Sequence, residues 1–265
     1  MDPTPSFAAP ELFNLSGKNA LVTGGTRGTP DPTLIEHLHV CTYSLTRANR
    51  RPSDSGIGAA CAIALAEAGA NICLVQRNPV DGASPNLETY NAILALGVQA
   101  KVVHCDLADI PAVRSLFQTA LDAMGGRIHI LVNCAGIQRR SPCVDFSEKD
   151  WDDVRLLVYF LGPQLAVVFT HRGYCFVRCL FQVIDVNLKS VWLLCQAAGR
   201  HMIPLREGKI INFCSLMSFQ GGLTIPAYTA AKGALGQLTK SLSNEWSQHN
   251  VQVNGIVPGY IATEM

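Results

Sequence analysis

The stretch Asn19-Ala20-Leu21-Val22-Thr23-Gly24-Gly25-Thr26-Arg27-Gly28 reads as a short buried strand running into a glycine-rich turn. Such a turn lets backbone N–H groups approach a pyrophosphate at the N-terminus of the helix that follows. Here that helix does not begin at Gly28. It begins at Gly56-Ile57-Gly58 and continues through Ala59–Ala68 to a stop at Gly69, where a glycine is the usual helix terminator. Joining Gly28 to Ile57 restores Thr-Gly-Gly-Thr-Arg-Gly-Ile-Gly. Residues from about 29 to 56 are therefore expected to be an insertion inside one phosphate-binding turn.

Working outward, apolar runs and helical stretches alternate. Asn71–Val75 is strand-like, 86–97 helical, Lys101–His104 a strand, 109–124 a helix and Ile128–Val132 a strand leading into Asn133-Cys134-Ala135-Gly136. Ser147–Asp153 has the composition of a capped helix start, and its pattern resumes at Val183 and runs to about Met202. Strand 209–214, a helix from about Pro226 to Gln248 and strand Val251–Val257 complete the series. Strands alternating with helices at this spacing predict an α/β fold: a doubly wound parallel sheet of Rossmann type in three α/β/α layers. The chain is expected to form one domain over 1–265, with insertions at about 29–56 and 154–182.

The last third carries a candidate acid/base unit. Tyr228 and Lys232 are four apart, so on a helix they share a face. An ammonium beside a phenol stabilises the phenolate and should bring the tyrosine pKa down from about 10 towards working pH. Ser215 ends the apolar run Ile210–Cys214, where its hydroxyl could hold a substrate carbonyl.

Composition narrows the alternatives. The formal net charge is +1 with no basic cluster, which argues against nucleic acid as a partner. Ten cysteines without a Cys-x-x-C pair suit reduced, mostly buried thiols and a cytoplasmic protein. Met1–Pro5 has no basic stretch leading into an apolar core, so no secretory signal is expected. His171, Cys175 and Cys179 are the nearest approach to a ligand cluster, and no metal site is expected there. The run Leu156–Phe169, about 14 residues with an internal Gly-Pro, is shorter than the ~20 residues of a membrane span.

With the glycine motif, Asn133-Cys134-Ala135-Gly136, Asn187, Ser215, Tyr228, Lys232 and Pro258-Gly259 in order, the chain resembles the short-chain dehydrogenase/reductases from Leu15 to Met265, outside the two insertions. Phe13–Gly17, Asp145–Trp151 and Ser218–Gly222 are similar to the 2-deoxy-D-gluconate 3-dehydrogenase subgroup. The resemblance implies an NAD(P)-dependent oxidoreductase moving a hydride between nicotinamide and a secondary alcohol or ketone, on a sugar acid or polyol. It makes Tyr228 the acid/base, Lys232 its modulator and ribose ligand, Ser215 the group orienting the substrate oxygen, and Asn187 a member of a proton relay through water. Gly24, Gly28, Gly56, Ile57 and Gly58 would hold the pyrophosphate, Asp106 would meet the adenine, and Asn133 would brace the sheet. Pro258, Gly259, Ile261 and Thr263 would lie at the nicotinamide, and Cys134 departs from the family's usual second asparagine. An acidic residue after the second strand would favour NAD. Gln76 stands there, with Arg77 and Arg27 able to meet a 2′-phosphate, so NADP is expected over NAD.

The resemblance also implies a homo-oligomer, dimer or tetramer, and further elements after the Pro-Gly motif. Its final strand would cover a sheet edge expected here to be open. Both insertions are expected to be retained introns, and the ends of the second can be written with splice-like codons at Val154-Arg155 and Phe181-Gln182. The competing reading is a catalytically impaired nucleotide-binding relic of the same enzyme.

Overall fold

The apolar runs become six parallel strands of one sheet. The computed structural model describes residues 13–25, 56–77, 87–147, 169–170, 173–174 and 182–260. In chain order the elements are β1 (Asn19–Thr23), α1 (Ile57–Glu67), β2 (Asn71–Gln76), α2 (Glu88–Leu94), β3 (Ala100–His104), α3 (Ile110–Ala123) and β4 (Ile130–Asn133). A two-residue antiparallel pair follows, β5 (Phe169–Thr170) with β6 (Gly173–Tyr174), inside the second expected insertion. The chain continues with α4 (Ser190–Leu205), β7 (Gly208–Phe213), α5 (Pro226–Trp246) and β8 (Val251–Ile256).

The strand order is β3-β2-β1-β4-β7-β8. The chain winds outward from β1 to β3, then returns across β1 to β4 and winds the other way. That reversal opens a crevice beyond the carboxyl ends of β1 and β4, the usual ligand position in such sheets. Each central strand divides its side chains between two cores. Ala20, Val22, Ile72, Leu74, Ile130 and Val132 pack with Ala62, Ala66 and Ile93 of α1 and α2. Their neighbours Leu21, Cys73, Val75 and Leu131 pack with α3, α4 and α5 through Phe117, Leu194, Leu235 and Trp246. Burial on both faces is why these strands read as unbroken apolar runs. The predicted three-layer, doubly wound fold is the observed one.

Local chemistry explains the helix positions that matter for the site. The small buried residues of α1, Gly58, Ala59, Ala60, Ala62 and Ala66, let it lie close to β1 and β2. Pro226 opens α5, where a missing N–H costs nothing, and 21 residues give a rod of roughly 31 Å. Tyr228 and Lys232 lie in its first two turns.

Two predicted boundaries shift. The second helix is shorter than 86–97, and β4 starts at Ile130 rather than 128. The helix expected to run from Val183 is not uniform. A single α turn (Gln182–Ile184) leads into a π turn (Asp185–Lys189) before α4. Residues 148–153, its proposed upstream part, lie outside the described residues. Among the described residues no helix is long and apolar enough to cross a membrane.

Candidate active site

Two glycine-bearing turns, far apart in sequence, meet at the carboxyl end of β1. A Cβ on Gly58 would fall 2.5 Å from the Gly24 carbonyl oxygen and 3.1 Å from the Gly25 nitrogen. Gly24 has φ +76, and a Cβ there would meet the Ala135 backbone at 2.8 Å. So α1 is pressed against the turn after β1, and that turn against the segment after β4, at distances only glycine permits. Gly56 precedes α1 in extended conformation, no side chain caps the helix, and its first turn holds no acidic residue. An uncapped helix N-terminus beside a glycine turn fits the diphosphate of a nicotinamide cofactor. Gly24, Gly56, Ile57 and Gly58 are thus gathered as expected, while Gly28 and Arg27 lie outside the described residues.

Thr23, the last residue of β1, ties this turn to β4. Its buried hydroxyl accepts the N–H groups of Cys134 and Ala135 at 3.1 and 3.2 Å and donates to the Val132 carbonyl at 3.4 Å. Asn133 then starts a polar chain through the interior. Its Nδ2 donates to Asn212 Oδ1 at 2.9 Å, and Asn212 Nδ2 donates to Thr239 Oγ1 at 3.0 Å. The expected bracing by Asn133 therefore joins β4, β7 and α5. Its own Oδ1 is buried without a hydrogen-bond partner.

The acid/base candidates converge one strand further along. Ser215 follows β7 in extended conformation and caps the short turn Leu216–Ser218, its Oγ accepting the Met217 N–H at 3.2 Å. Ser218 locks this turn to α5, accepting the Ser215 N–H at 3.3 Å and donating to the Lys232 carbonyl at 2.6 Å. The Ser215 side chain is near enough to the Tyr228 phenol to favour its ionised form. Tyr228 is buried against Val183, Met217, Ile225 and Ala227. Lys232 is buried, with 4 % of its surface exposed, and its ammonium donates to the Phe213 carbonyl at 2.6 Å.

Protonation differs from the expectation in one respect. Burial pushes the Tyr228 phenol above its ordinary value, with the Ser215 side chain working the other way. The predicted lowering by Lys232 is absent from the chain alone. The physical reason is placement: the ammonium is held at the Phe213 carbonyl, 5.7 Å from the Tyr228 ring centroid. Lys232 itself is pulled down to about 8 by burial, with the Cys134 and Cys214 thiols opposing the shift.

Asn187 sits in the π turn, fully buried. Its Nδ2 donates to the carbonyls of Ile137 and Val183, both at 2.8 Å, and its Oδ1 accepts the Ile137 N–H at 3.3 Å. The side chain therefore clamps the segment after β4, leaving Oδ1 capacity for one further donor. A Cβ on Gly136 would lie 2.8 Å from that Oδ1 and 4.0 Å from Lys232 Nζ, so Asn187, Gly136 and Lys232 form one wall.

The remaining described positions follow the carboxyl ends of β2, β3 and β8. Arg77 is exposed just after β2, beside the buried Gln76. Asp106 follows β3 and accepts the Ala108 N–H at 3.0 Å. Pro258 and Gly259 follow β8, whereas Ile261 and Thr263 lie outside the described residues. Sequence reasoning passed over Thr23, Asn212, Ser218 and Thr239. Asn212 carried a signal, being the one polar residue inside the Ile210–Cys214 run. Among the described residues, no group of three His, Cys, Asp or Glu side chains is placed to hold a metal, and His171, Cys175 and Cys179 lie outside them.

Comparison with known proteins agrees with this arrangement. The short chain dehydrogenase family matches residues 53–167 and 177–265. A 2-dehydro-3-deoxy-D-gluconate 5-dehydrogenase of Dickeya dadantii is 36 % identical over 252 residues, covering 95 % of this chain and 74 % of the relative. A gluconate 5-dehydrogenase of Gluconobacter oxydans is 35 % identical over 258 residues, covering 97 % and 76 %. Among solved structures, a gluconate 5-dehydrogenase of Burkholderia cenocepacia in complex with NADP and tartrate superposes with a TM-score of 0.67 at 32 % identity, covering 96 % of this chain and 75 % of that one.

Proposed function

This chain belongs to the short-chain dehydrogenase family, and from that premise we propose that it interconverts a secondary hydroxyl of a sugar acid and the corresponding ketone, with NADP preferred over NAD. The observation that carries the reading is the Ser215–Tyr228–Lys232 group, its serine half-buried and its tyrosine and lysine buried, together with the glycine turn that fits the cofactor diphosphate. Relatives named for gluconate and 2-dehydro-3-deoxy-D-gluconate support the substrate class. The structures of relatives with NADP, together with Arg77 after β2, support the cofactor preference.

A bound NAD(P)+ supplies the hydride acceptor for alcohol oxidation. Around it, Ser215 donates to the substrate oxygen and fixes its position. Tyr228 takes the hydroxyl proton as the carbon gives up its hydride, and returns a proton in the reverse direction. Lys232 would hold the nicotinamide ribose, and its ammonium would supply positive charge that favours the phenolate. Asn187 keeps Ile137 and Gly136 in place at the same wall and offers its remaining acceptor to a relay water. Gly24, Gly56, Ile57 and Gly58 would hold the diphosphate, Asp106 would meet the adenine, Pro258 and Gly259 would serve the nicotinamide side, and Arg77 would read the 2′-phosphate. Gly28, Arg27, Ile261 and Thr263 are assigned to the same groups by the family resemblance alone.

The same proposal treats 1–265 as one catalytic domain interrupted at about 29–56 and 154–182. Contact between Gly24 and Gly58 across the first interruption, and packing of Phe146 and Val183 in one cluster across the second, support it. The test is to incubate the purified chain with D-gluconate and related sugar acids and follow nicotinamide reduction with NADP+ and NAD+ separately. Turnover that is faster at limiting NADP+ and abolished in Tyr228→Phe is the expected result. Saturable cofactor binding without turnover of any sugar acid overturns the substrate reading.

A further inference from the structure

The chain leaving β7 folds back on itself through a pair of serines. The Ser218 N–H donates to the Ser215 carbonyl at 2.9 Å, and the Ser215 N–H donates in return to Ser218 Oγ at 3.3 Å. A serine hydroxyl has one hydrogen to give, and Ser218 gives it to the Lys232 carbonyl at 2.6 Å. A single oxygen therefore joins the backbone of Ser215 to the backbone of Lys232, on a different element.

Ser218 is also seated by shape. Gly236 lies one turn beyond Lys232 on α5, and a Cβ there would come 3.2 Å from Ser218 Cβ and 3.6 Å from its Oγ. Tyr228, Lys232 and Gly236 follow one another at four-residue steps and so share a face of the helix. Ser218 fills the gap left where that face has no side chain. Met217, within the same turn, is buried in the cluster that holds Tyr228. Ser215 stands at the start of this turn, and its Oγ accepts the Met217 N–H at 3.2 Å. Its O–H and second lone pair stay free for a substrate oxygen and the phenol, and their direction is set by how the turn lies on α5.

We propose that Ser218 is a positioning residue: its hydroxyl holds the Ser215 turn in register with α5, so that Ser215 and Tyr228 converge on one substrate oxygen. Ser218 acts through Ser215 and not on the substrate. The proposal rests on the roles given above to Ser215 and Tyr228.

The test is a double-mutant cycle on D-gluconate oxidation at saturating NADP+, with wild type, Ser218→Ala, Ser215→Ala and the double variant. Misplacing a reacting group by about 1 Å can cost around 100-fold in rate. A loosened turn moves less than that, so Ser218→Ala should lower kcat about tenfold in the native background and less than about twofold beside Ser215→Ala. KM and NADPH affinity should be kept. Ser215 favours the ionised Tyr228, so loosening it should carry the rising limb of the kcat profile to higher pH. Gly236→Ala keeps every hydrogen-bond partner but crowds Ser218. Alanine suits a helix better than glycine, so kcat should fall while the melting temperature holds or rises.

An equal loss from Ser218→Ala in both backgrounds overturns the proposal. So does an unchanged kcat and pH profile in Ser218→Ala while Ser215→Ala is impaired, and either result leaves the roles of Ser215 and Tyr228 standing. A kcat that falls only in step with the melting temperature in both Ser218→Ala and Gly236→Ala marks the contact as packing and also overturns it. A Ser215→Ala enzyme as active as the wild type, or a wild type without turnover, defeats those roles and this inference with them.

Discussion

The two ends of the parallel sheet are built on different terms. At the amino ends of the strands, polar groups close on one another. Glu207 receives Lys18 at 2.5 Å and Arg127 at 2.7 Å. The Asn19 N–H donates to His129 Nδ1 at 2.9 Å and the Ile128 N–H to His201 Nε2 at 3.3 Å. Asn19 and Asn71 join side chains at 3.0 Å and tie down the neighbouring loops. At the carboxyl ends, glycines let backbone segments press together, an ammonium is buried on a single carbonyl, and burial raises the pKa of a phenol. The first end satisfies its own groups and contributes stability. The second keeps capacity for groups brought by a ligand, and that unspent capacity is where the chemistry lies.

The comparison is broken most severely if Tyr228→Phe remains active. Removing one phenolic oxygen from the carboxyl-end group should lower kcat by about 10² to 10⁴, while NADPH binding and the melting temperature stay close to wild type. Retained turnover would mean that another group exchanges the proton.

Next in size is Lys232→Met, expected to lower kcat/KM by roughly 100-fold or more through lost ribose contact and lost charge. Stability should respond in an unusual way. The lysine pKa is about 8 folded, against 10.5 ordinarily, so between those values the unfolded chain binds more protons. Wild-type stability relative to the variant should therefore rise from about pH 8 to pH 10.5. Urea unfolding of both proteins across that range measures it, and parallel curves would show that the ammonium is better solvated than its burial implies.

A smaller effect is expected at the glycine turn. Gly58→Ala sets a methyl group against the Gly24 carbonyl and should move α1 away from the turn. The expected loss is about tenfold or more in NADPH affinity, read by fluorescence titration, with a destabilisation of roughly 1–3 kcal/mol from overpacking. Lost stability without lost affinity would mean that the diphosphate does not depend on this contact.

How much of each end could be read from sequence follows from the range of the interactions. Runs such as Asn71–Val75 were legible because burial on both faces leaves an uninterrupted apolar signature. The Tyr228–Lys232 pair was legible because helical spacing alone puts both on one face. The rejoined glycine turn was visible because its motif survives on either side of the intervening residues. Thr23, Asn212, Ser218 and Thr239 were not, since each gains its meaning from a partner on another element. The π turn escaped for the same reason: it carries Asn187 to Ile137, 50 residues away, and no local preference encodes that. The tyrosine's protonation was misjudged because spacing shows the neighbouring charge but not the burial that opposes it.

The amino-end network provides the smallest effect and the cleanest contrast. His129 and His201 are both lowered, chiefly by burial, and each accepts a backbone N–H through a nitrogen that must stay unprotonated. Below the unfolded value near 6.5 the unfolded chain therefore binds more protons than the folded one, and stability should fall as pH falls through that region. Glu207 extends the trend, because the hydrogen bonds from Lys18 and Arg127 hold its carboxyl down to about 2 from 4.5. Its side chain is 36 % exposed, so solvent screening keeps that contribution small. His129→Asn keeps an acceptor for the Asn19 N–H but cannot be protonated, and should flatten the decline in urea midpoint between pH 7 and 5. Glu207→Gln should flatten only the part below about pH 4.5. Neither should alter kcat at pH 7, since both lie at the opposite end of the strands from Tyr228. A change in kcat comparable to the change in stability would show that the two ends are coupled through the sheet rather than built independently.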